Sequence, residues 1–131
     1  MSPFEIDALR RHPDEGPVTM LNLLKFRERS LDGDGTGRDA YDRYARVAQG
    51  LVEARGGRVV WAGQVEQPAL HEGEDVAWDA ALLVHYPSRA AFLEMVTSPE
   101  YLDANVDRTN GLEKHVILAS RTLLSSPFPQ A

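Results

Sequence analysis

Four short apolar segments constrain the fold of this chain more than any other feature of its sequence. Each is bounded by glycine, proline or polar turn residues, which is typical of buried β-strands. They span residues 18–26, 58–67, 78–86 and 114–124. Between them lie two helical patterns, one over residues 39–55 and one that begins after Ser88. The order β-α-β-β-α-β predicts an α+β, ferredoxin-like fold with a four-stranded antiparallel sheet and both helices on one face.

The predicted strands are apolar on both faces, which has a consequence for assembly. In the first strand Met20, Leu24 and Phe26 point to one side, and Leu21 and Leu23 point to the other. Two helices can bury only one face of the sheet, so the second face needs another cover. A second sheet from an identical subunit provides that cover, since most soluble oligomers are two-fold homodimers. We therefore predict a homodimer.

The segment that follows the third strand contains two well-marked helix starts. Ser88 and Ser98 are both suited to accept hydrogen bonds from the free N–H groups of a first helical turn. Pro99 stands at a position where a helix tolerates the missing N–H donor. We predict two short helical pieces here, followed by a polar linker over residues 103–112 whose Asn-Gly pair is a turn signal.

Composition limits the partners and the chemistry of the chain. Residues 1–131 suffice for a single domain, with an N-terminal extension at 1–16 that contains a short helix from Phe4 to Arg11, and a proline-rich tail at 125–131. A formal charge of −6 with scattered basic residues argues against nucleic-acid and anionic-membrane partners. The absence of cysteine excludes disulfides, thiolate metal sites and cysteine nucleophiles. Neither a signal peptide nor an apolar run of membrane-spanning length is visible, so we expect a cytoplasmic protein.

A glycine- and aspartate-rich segment at 27–38 is similar to the start of a calcium loop. Asp32, Asp34 and Thr36 take positions 1, 3 and 5, but Arg43 stands at position 12, where a bidentate glutamate is needed. The four histidines also lack the spacing of a metal-binding motif. We therefore expect no metal site and interpret this segment as a flexible, solvated loop that is able to cover a cleft.

A few polar and aromatic residues in or near the predicted sheet are candidates for a functional site. Asn22 interrupts an apolar strand, and its amide either orients a ligand or bonds a neighbouring loop or the partner subunit. His85 ends the third strand and is able to move a proton near neutral pH, although strand-end histidines are more often exposed and without a role. His115, at the start of the fourth strand, is subject to the same reservation. For ligand binding, Trp61 offers a ring for stacking, and Arg108 in the predicted linker would reach over the cleft.

Three motifs link the chain to a known family. They are Asn22-Leu23-Leu24-Lys25-Phe26, Gly56-Gly57-Arg58, and Tyr86-Pro87-Ser88-Arg89 through Ser98-Pro99-Glu100-Tyr101. In these motifs the chain resembles the DUF1330 family, from which the N-terminal extension, the loop at 27–38 and the proline-rich tail depart. The resemblance implies a dimeric α+β barrel, in which two ferredoxin-like sheets face each other and enclose clefts. The family is largely uncharacterised, so the resemblance implies no catalytic residue.

Two kinds of function are consistent with these observations. The first is a cofactor-independent enzyme of the monooxygenase, isomerase or decarboxylase type, in which Asn22 orients a small, partly apolar substrate and His85 moves a proton. This hypothesis predicts that both side chains project into one pocket. The second is a non-catalytic dimeric module that binds a metabolite or serves as an accessory subunit, with a cleft filled by side chains. Both hypotheses involve no cofactor, and the sequence leaves open whether the protein is an enzyme.

Overall fold

The computed structural model describes residues 2–73 and 77–127, which form an α+β fold around one four-stranded antiparallel sheet. The sheet order β2-β3-β1-β4 confirms the predicted ferredoxin-like architecture. In chain order the elements are α1 (Ile6–Arg11), β1 (Val18–Phe26), α2 (Gly37–Ala54), β2 (Arg58–Gln64), β3 (Ala80–Tyr86), α3 (Arg89–Val96), α4 (Pro99–Gly111) and β4 (Leu112–Ser120). Residues 74–76, between β2 and β3 in the sequence, and residues 128–131 of the predicted tail lie outside the described residues. No helix in the described ranges combines the length and apolar character needed to cross a bilayer.

The first strand has the predicted bounds, whereas the ends of the other three strands differ. β2 stops at Gln64 and β3 starts at Ala80, because these two residues form the last pair of their ladder. Ala80 is also opposite Leu24, the last β1 residue that pairs with β3. β4 stops at Ser120, which faces Thr19 in the last pair of its ladder with β1. A strand extends only as far as a neighbour can accept its hydrogen bonds, and the apolar pattern of a single segment does not contain that limit.

The helices cover one face of the sheet, as the sequence predicts, and we name the two faces for their position relative to the helices. The inner face packs against the helices and includes Met20, Asn22, Leu24, Leu82, Val84, His115 and Ile117. The outer face includes Thr19, Leu21, Leu23, Leu83, His85, Val116 and Leu118. From Val18 to Leu24 the inner-face residues of β1 are buried, and the outer-face residues are only partly covered. The main core therefore lies between the inner face and the aromatic side chains of α2, α3 and α4.

A bulge in β2 changes the predicted facing of that strand. The ladder with β3 shifts register between Val59 and Trp61. As a result Val59 faces inward together with Ala62, whereas Trp61 faces outward beside Leu83. Strict alternation along β2 predicts that Val59 and Trp61 share a face, which is wrong because an inserted residue reverses the side-chain order of a strand.

The predicted polar linker at 103–112 is wrong, because α4 continues without interruption to Gly111. Ser98 accepts a hydrogen bond from the backbone of Tyr101 and caps this helix, as predicted. Gly111 is needed at the other end, where an added Cβ would collide with the backbone oxygen of Gly37 at the start of α2. The Asn-Gly pair thus marks a helix end that packs closely against another helix, and Arg108 becomes a helical residue.

The loop between β1 and α2 is solvated, as predicted, but its conformation is defined by local hydrogen bonds. Asp32 accepts bonds from the hydroxyl of Ser30 and the backbone of Asp34, and its pKa is lowered by these bonds. Thr36 caps α2 in a reciprocal capping box with Asp39. The residues from Glu28 to Thr36 line neither of the two cavities described below.

Candidate functional site

Two adjoining cavities lie between the inner face of the sheet and the helices. The larger, of about 380 Å³, is lined by Arg89 and Arg108 together with the N-terminal segment, and we call it the arginine cavity. The smaller, of about 250 Å³, is lined by Tyr41, Tyr44 and Tyr101, and we call it the tyrosine cavity. Both cavities share the wall residues Phe4, Met20, Phe92, His115 and Ile117.

Phe4 brings the N-terminal extension into this site. Its ring lies 6.1 Å from the ring of Phe92 and 5.9 Å from that of Tyr101, measured between centroids. The guanidinium carbon of Arg108 stands 5.6 Å from the centre of the same ring, within cation–π range. The extension is therefore part of the cavity wall.

A chain of three polar side chains crosses the shared wall, with the buried Arg108 and Asn22 at its ends and the partly buried His115 between them. Arg108 Nη1 lies 3.2 Å from His115 Nδ1, and His115 Nε2 lies 2.9 Å from Asn22 Oδ1. Asn22 Nδ2 then donates to the carbonyl oxygen of Met20 at 3.2 Å. A guanidinium can only donate, so Nδ1 of His115 accepts and its Nε2–H donates to Asn22. The chain thus runs in one direction from Arg108 to the backbone of β1.

His115 is held in its neutral form by this environment. Burial, followed by the positive charge of Arg108, lowers the pKa of His115 from its ordinary 6.5 to about 3. Both ring nitrogens are also occupied by protein partners. The geometry therefore makes His115 an orienting group for Arg108 and Asn22.

The tyrosine cavity is bordered by neutral phenols. The hydroxyl groups of Tyr44 and Tyr101 are 2.8 Å apart and share a hydrogen bond. Tyr41 stacks obliquely on Tyr44, with their ring centroids 5.4 Å apart. Burial is the main cause that raises the pKa of all three phenols above the ordinary value of 10.0. These groups can donate or accept hydrogen bonds but do not provide a negative charge.

The structure separates the two residues that the enzyme hypothesis placed together. Asn22 lies on the inner face, whereas His85 is opposite Thr19 on the outer face and its Nδ1 is 3.2 Å from the Thr19 hydroxyl oxygen. The predicted common pocket for Asn22 and His85 is therefore wrong, because the pairing of β1 with β3 places the two side chains on opposite faces of the sheet.

Trp61 also lies on the outer face, where its ring covers Gly63. Only Asn22 and Arg108 of the predicted site residues meet in one site, and a ligand-binding role for each of the four stays a prediction.

Sequence reasoning underestimated two residues of the site. The sequence pattern places His115 at the start of a strand, and Arg89 enters the prediction only as part of a family motif. The sequence does contain a signal for His115. This residue stands two positions before Ile117 and therefore shares its inward face of β4, where a polar side chain needs a partner. Its partner Asn22 is 93 positions away, and only the β1–β4 register shows that the two side chains meet.

Comparison with models of protein families identifies the family of this chain. The model of DUF1330, a domain of unknown function, matches residues 33–122, and the chain belongs to this family. The match begins after β1 and therefore leaves Asn22 and Phe4 outside the matched range. A search among curated proteins found no match.

Solved structures support the same fold. A protein of unknown function from Rhodopseudomonas palustris is 35% identical, with a TM-score of 0.85 over 95% of this chain and 97% of that one. A protein from Bacteroides fragilis, described as dimeric, of unknown function and with a ferredoxin-like fold, is 16% identical, with a TM-score of 0.50 over 82% and 98% of the two chains. A cofactor-independent oxygenase from Streptomyces nogalater is 15% identical, with a TM-score of 0.52 over 85% and 99%. The last two similarities concern the fold alone.

Proposed function

We propose that this protein binds a small, partly apolar organic molecule in the arginine and tyrosine cavities. The observation that carries the proposal is the presence of two adjoining cavities with convergent polar groups in an otherwise apolar wall. The larger cavity, about 380 Å³, exceeds the lower limit of roughly 300 Å³ for ligand pockets. A cleft filled by side chains, as expected for the non-catalytic module, does not agree with this geometry.

The polar chain supports binding more directly than it supports proton transfer. His115 has both nitrogens engaged, and its low pKa makes it a weak base. Its contribution is to hold the side chains of Arg108 and Asn22 in fixed orientations. Preorganised polar groups of this kind give a pocket orientation and specificity.

A cofactor-independent enzyme is the second candidate function. The hydroxyl pair of Tyr44 and Tyr101 favours it, because buried neutral phenols beside a cavity are able to donate a hydrogen bond to a developing negative charge on a substrate oxygen. The fold shared with the Streptomyces nogalater oxygenase is consistent with this candidate at the level of fold only.

We also propose that the protein acts as a homodimer joined through the outer face of the sheet. Leu21, Leu23, Leu83 and Val116 are partly exposed on this face, and Leu118 is 50% exposed. A second copy would remove this apolar surface from water. The related Bacteroides fragilis fold is described as dimeric, which agrees with the proposal.

A ligand screen tests the binding proposal. Thermal unfolding of the purified protein would be measured with a panel of small aromatic and aliphatic compounds, since a ligand of the native state raises the melting temperature. Ile117→Phe narrows both cavities and should weaken any binding at least about tenfold, whereas Val47→Phe, on an exposed part of α2, should not. Circular dichroism would verify that both variants fold. Equal stabilisation of the two variants by the same compound would contradict a site in these cavities.

A further inference from the structure

Arg108 is a buried cation without an anionic partner in the described residues. Its side chain is on α4, and the residue is only 9% exposed. Nε donates to Asn105 Oδ1 at 2.6 Å, and Nη1 donates to the neutral His115. None of the ion pairs among residues 2–73 and 77–127 includes Arg108. Burying a charge is costly unless an opposite charge or strong hydrogen bonds compensate for it.

Arg89 adds a second buried guanidinium to the same cavity. The residue is 8% exposed, and its Nε is buried without a hydrogen-bond partner. In the part of the chain that the structure describes, its ion-pair partner is Asp14, whose Oδ2 lies 3.9 Å from Nη1, at the limit of an ion pair. Arg89 is thus only partly compensated.

The remaining lining of the arginine cavity does not neutralise these two charges. Glu5 is its only carboxylate residue within the described ranges, and it is exposed and forms no ion pair with either arginine. His115 is neutral. Most of the other walls are apolar and include the rings of Phe4 and Phe92. The cavity is therefore a positively charged pocket with apolar walls in a protein whose formal charge is −6.

We propose that the arginine cavity binds the carboxylate group of a small organic acid, with Arg108 as the principal contact. The apolar part of the acid would extend past the shared wall towards the tyrosine cavity. Arg108 Nη2 has no partner among the described residues and remains available to a carboxylate oxygen. A planar guanidinium matches the two oxygens of a carboxylate, and charge-assisted bonds of this type are stronger than neutral ones. This inference rests on the proposed function of the cavities.

A singly charged ligand fits the cavity better than a phosphate does. Asp14 already accounts for part of the charge of Arg89, which leaves about one uncompensated positive charge at the site. Apart from Arg108, the partly compensated Arg89 and the histidines, the walls of the cavity are mostly apolar, so the second negative charge of a phosphate would be poorly compensated.

Calorimetric titration of the full chain tests the proposal. The probes are aliphatic and aromatic monocarboxylic acids, the uncharged amides of the same skeletons, and inorganic phosphate. We expect at least one acid to bind about tenfold or more tightly than its amide, because a hydrogen bond to a charged group is stronger than one between neutral groups. Arg108→Gln should remove this preference, and Arg46→Gln, at an exposed position of α2, should retain it.

The possible results of the titration distinguish a failure of the carboxylate site from a failure of ligand binding in the cavities. Acids and amides that bind equally well would overturn the carboxylate site but leave the cavities as a binding site. Failure of every probe to bind would overturn both proposals, and tighter binding of phosphate than of any monocarboxylate would overturn the choice of ligand class. The comparison of acid with amide uses the wild-type chain, so it stands even if Arg108→Gln does not fold.

Discussion

Arg108 donates a hydrogen bond to Nδ1 of His115, and this contact determines the state of the histidine. With Nδ1 occupied as an acceptor at 3.2 Å, the ring proton resides on Nε2 and points to Asn22. The buried arginine thus sets the tautomer of the imidazole, and its charge adds to burial, the larger cause, in lowering the pKa of His115. The pair connects α4 to the inner face of the sheet and fixes the orientation of the side chains at the cavity wall.

Protonation of His115 should make stability dependent on pH in the weakly acidic range. The pKa of His115 is about 3 in the folded state and near 6.5 when unfolded, so protons bind preferentially to the unfolded chain between these values. Its contribution to stability is fully present above pH 6.5 and is lost as the pH falls towards 3. We expect the free energy of unfolding to decrease by about 1.4 kcal/mol per pH unit well below the upper value.

Urea unfolding between about pH 7 and about pH 5 measures this dependence, above the range in which most carboxylates titrate. His115→Gln removes the titrating group, so the free energy of unfolding should depend less steeply on pH in this variant. His12→Gln, at an exposed position, is the matched control and should leave it unchanged. Identical slopes for the wild type and His115→Gln would show that His115 is not the buried group responsible.

A charge on the outer face should disrupt the proposed homodimer. Leu21 lies between Leu83 on β3 and Leu118 on β4, at the centre of this face. Leu21→Glu would bury an unpaired carboxylate at the interface, so we expect a monomer by light scattering coupled to size-exclusion chromatography. Val106→Glu, at a 61% exposed position on α4, should retain the mass of the wild type. A monomeric wild type at micromolar concentration would contradict the dimer proposal.

The close approach of α2 and α4 should make Gly111 intolerant of a side chain. An alanine Cβ at this position would stand 2.8 Å from the backbone nitrogen of Tyr41 and would also meet the backbone oxygen of Gly37. We expect Gly111→Ala to lower the free energy of unfolding by about 1–3 kcal/mol. Gly50→Ala, inside α2 with open space around it, should raise it by roughly 0.5–1 kcal/mol. Chemical denaturation of both variants measures the difference, and equal changes would indicate that the helices can separate without cost.

The fold could be predicted in outline because its signals are local. Strand β1 has the predicted bounds, and Ser88 and Ser98 cap the helices that they were expected to cap. Apolar alternation and side-chain caps depend on residues a few positions apart, which a sequence displays directly. Where a local signal had two meanings, as at Asn110 and Gly111, the prediction of a linker in place of a helix end was wrong.

The site was harder to predict because its members meet through the sheet. The sequence marks Asn22 by its apolar surroundings and predicts Arg108 near a cleft, but the predicted partner of Asn22, His85, is wrong, because Asn22 bonds His115. Which histidine meets Asn22 depends on which strands are neighbours in the sheet and on the face to which each residue points. The bulge in β2 shows that one inserted residue reverses the facing of the residues that follow it.

By itself, the sequence determined the order of the elements, the apolar character of both sheet faces and the family motifs. These properties follow from short-range patterns of polarity and from backbone preferences. Only the tertiary structure decided that Asn22, His115 and Arg108 form one directional chain, and that Phe4 from the N-terminal extension lies in the same wall. These contacts join distant parts of the chain, and they exist only after strand register and helix packing have brought the side chains together.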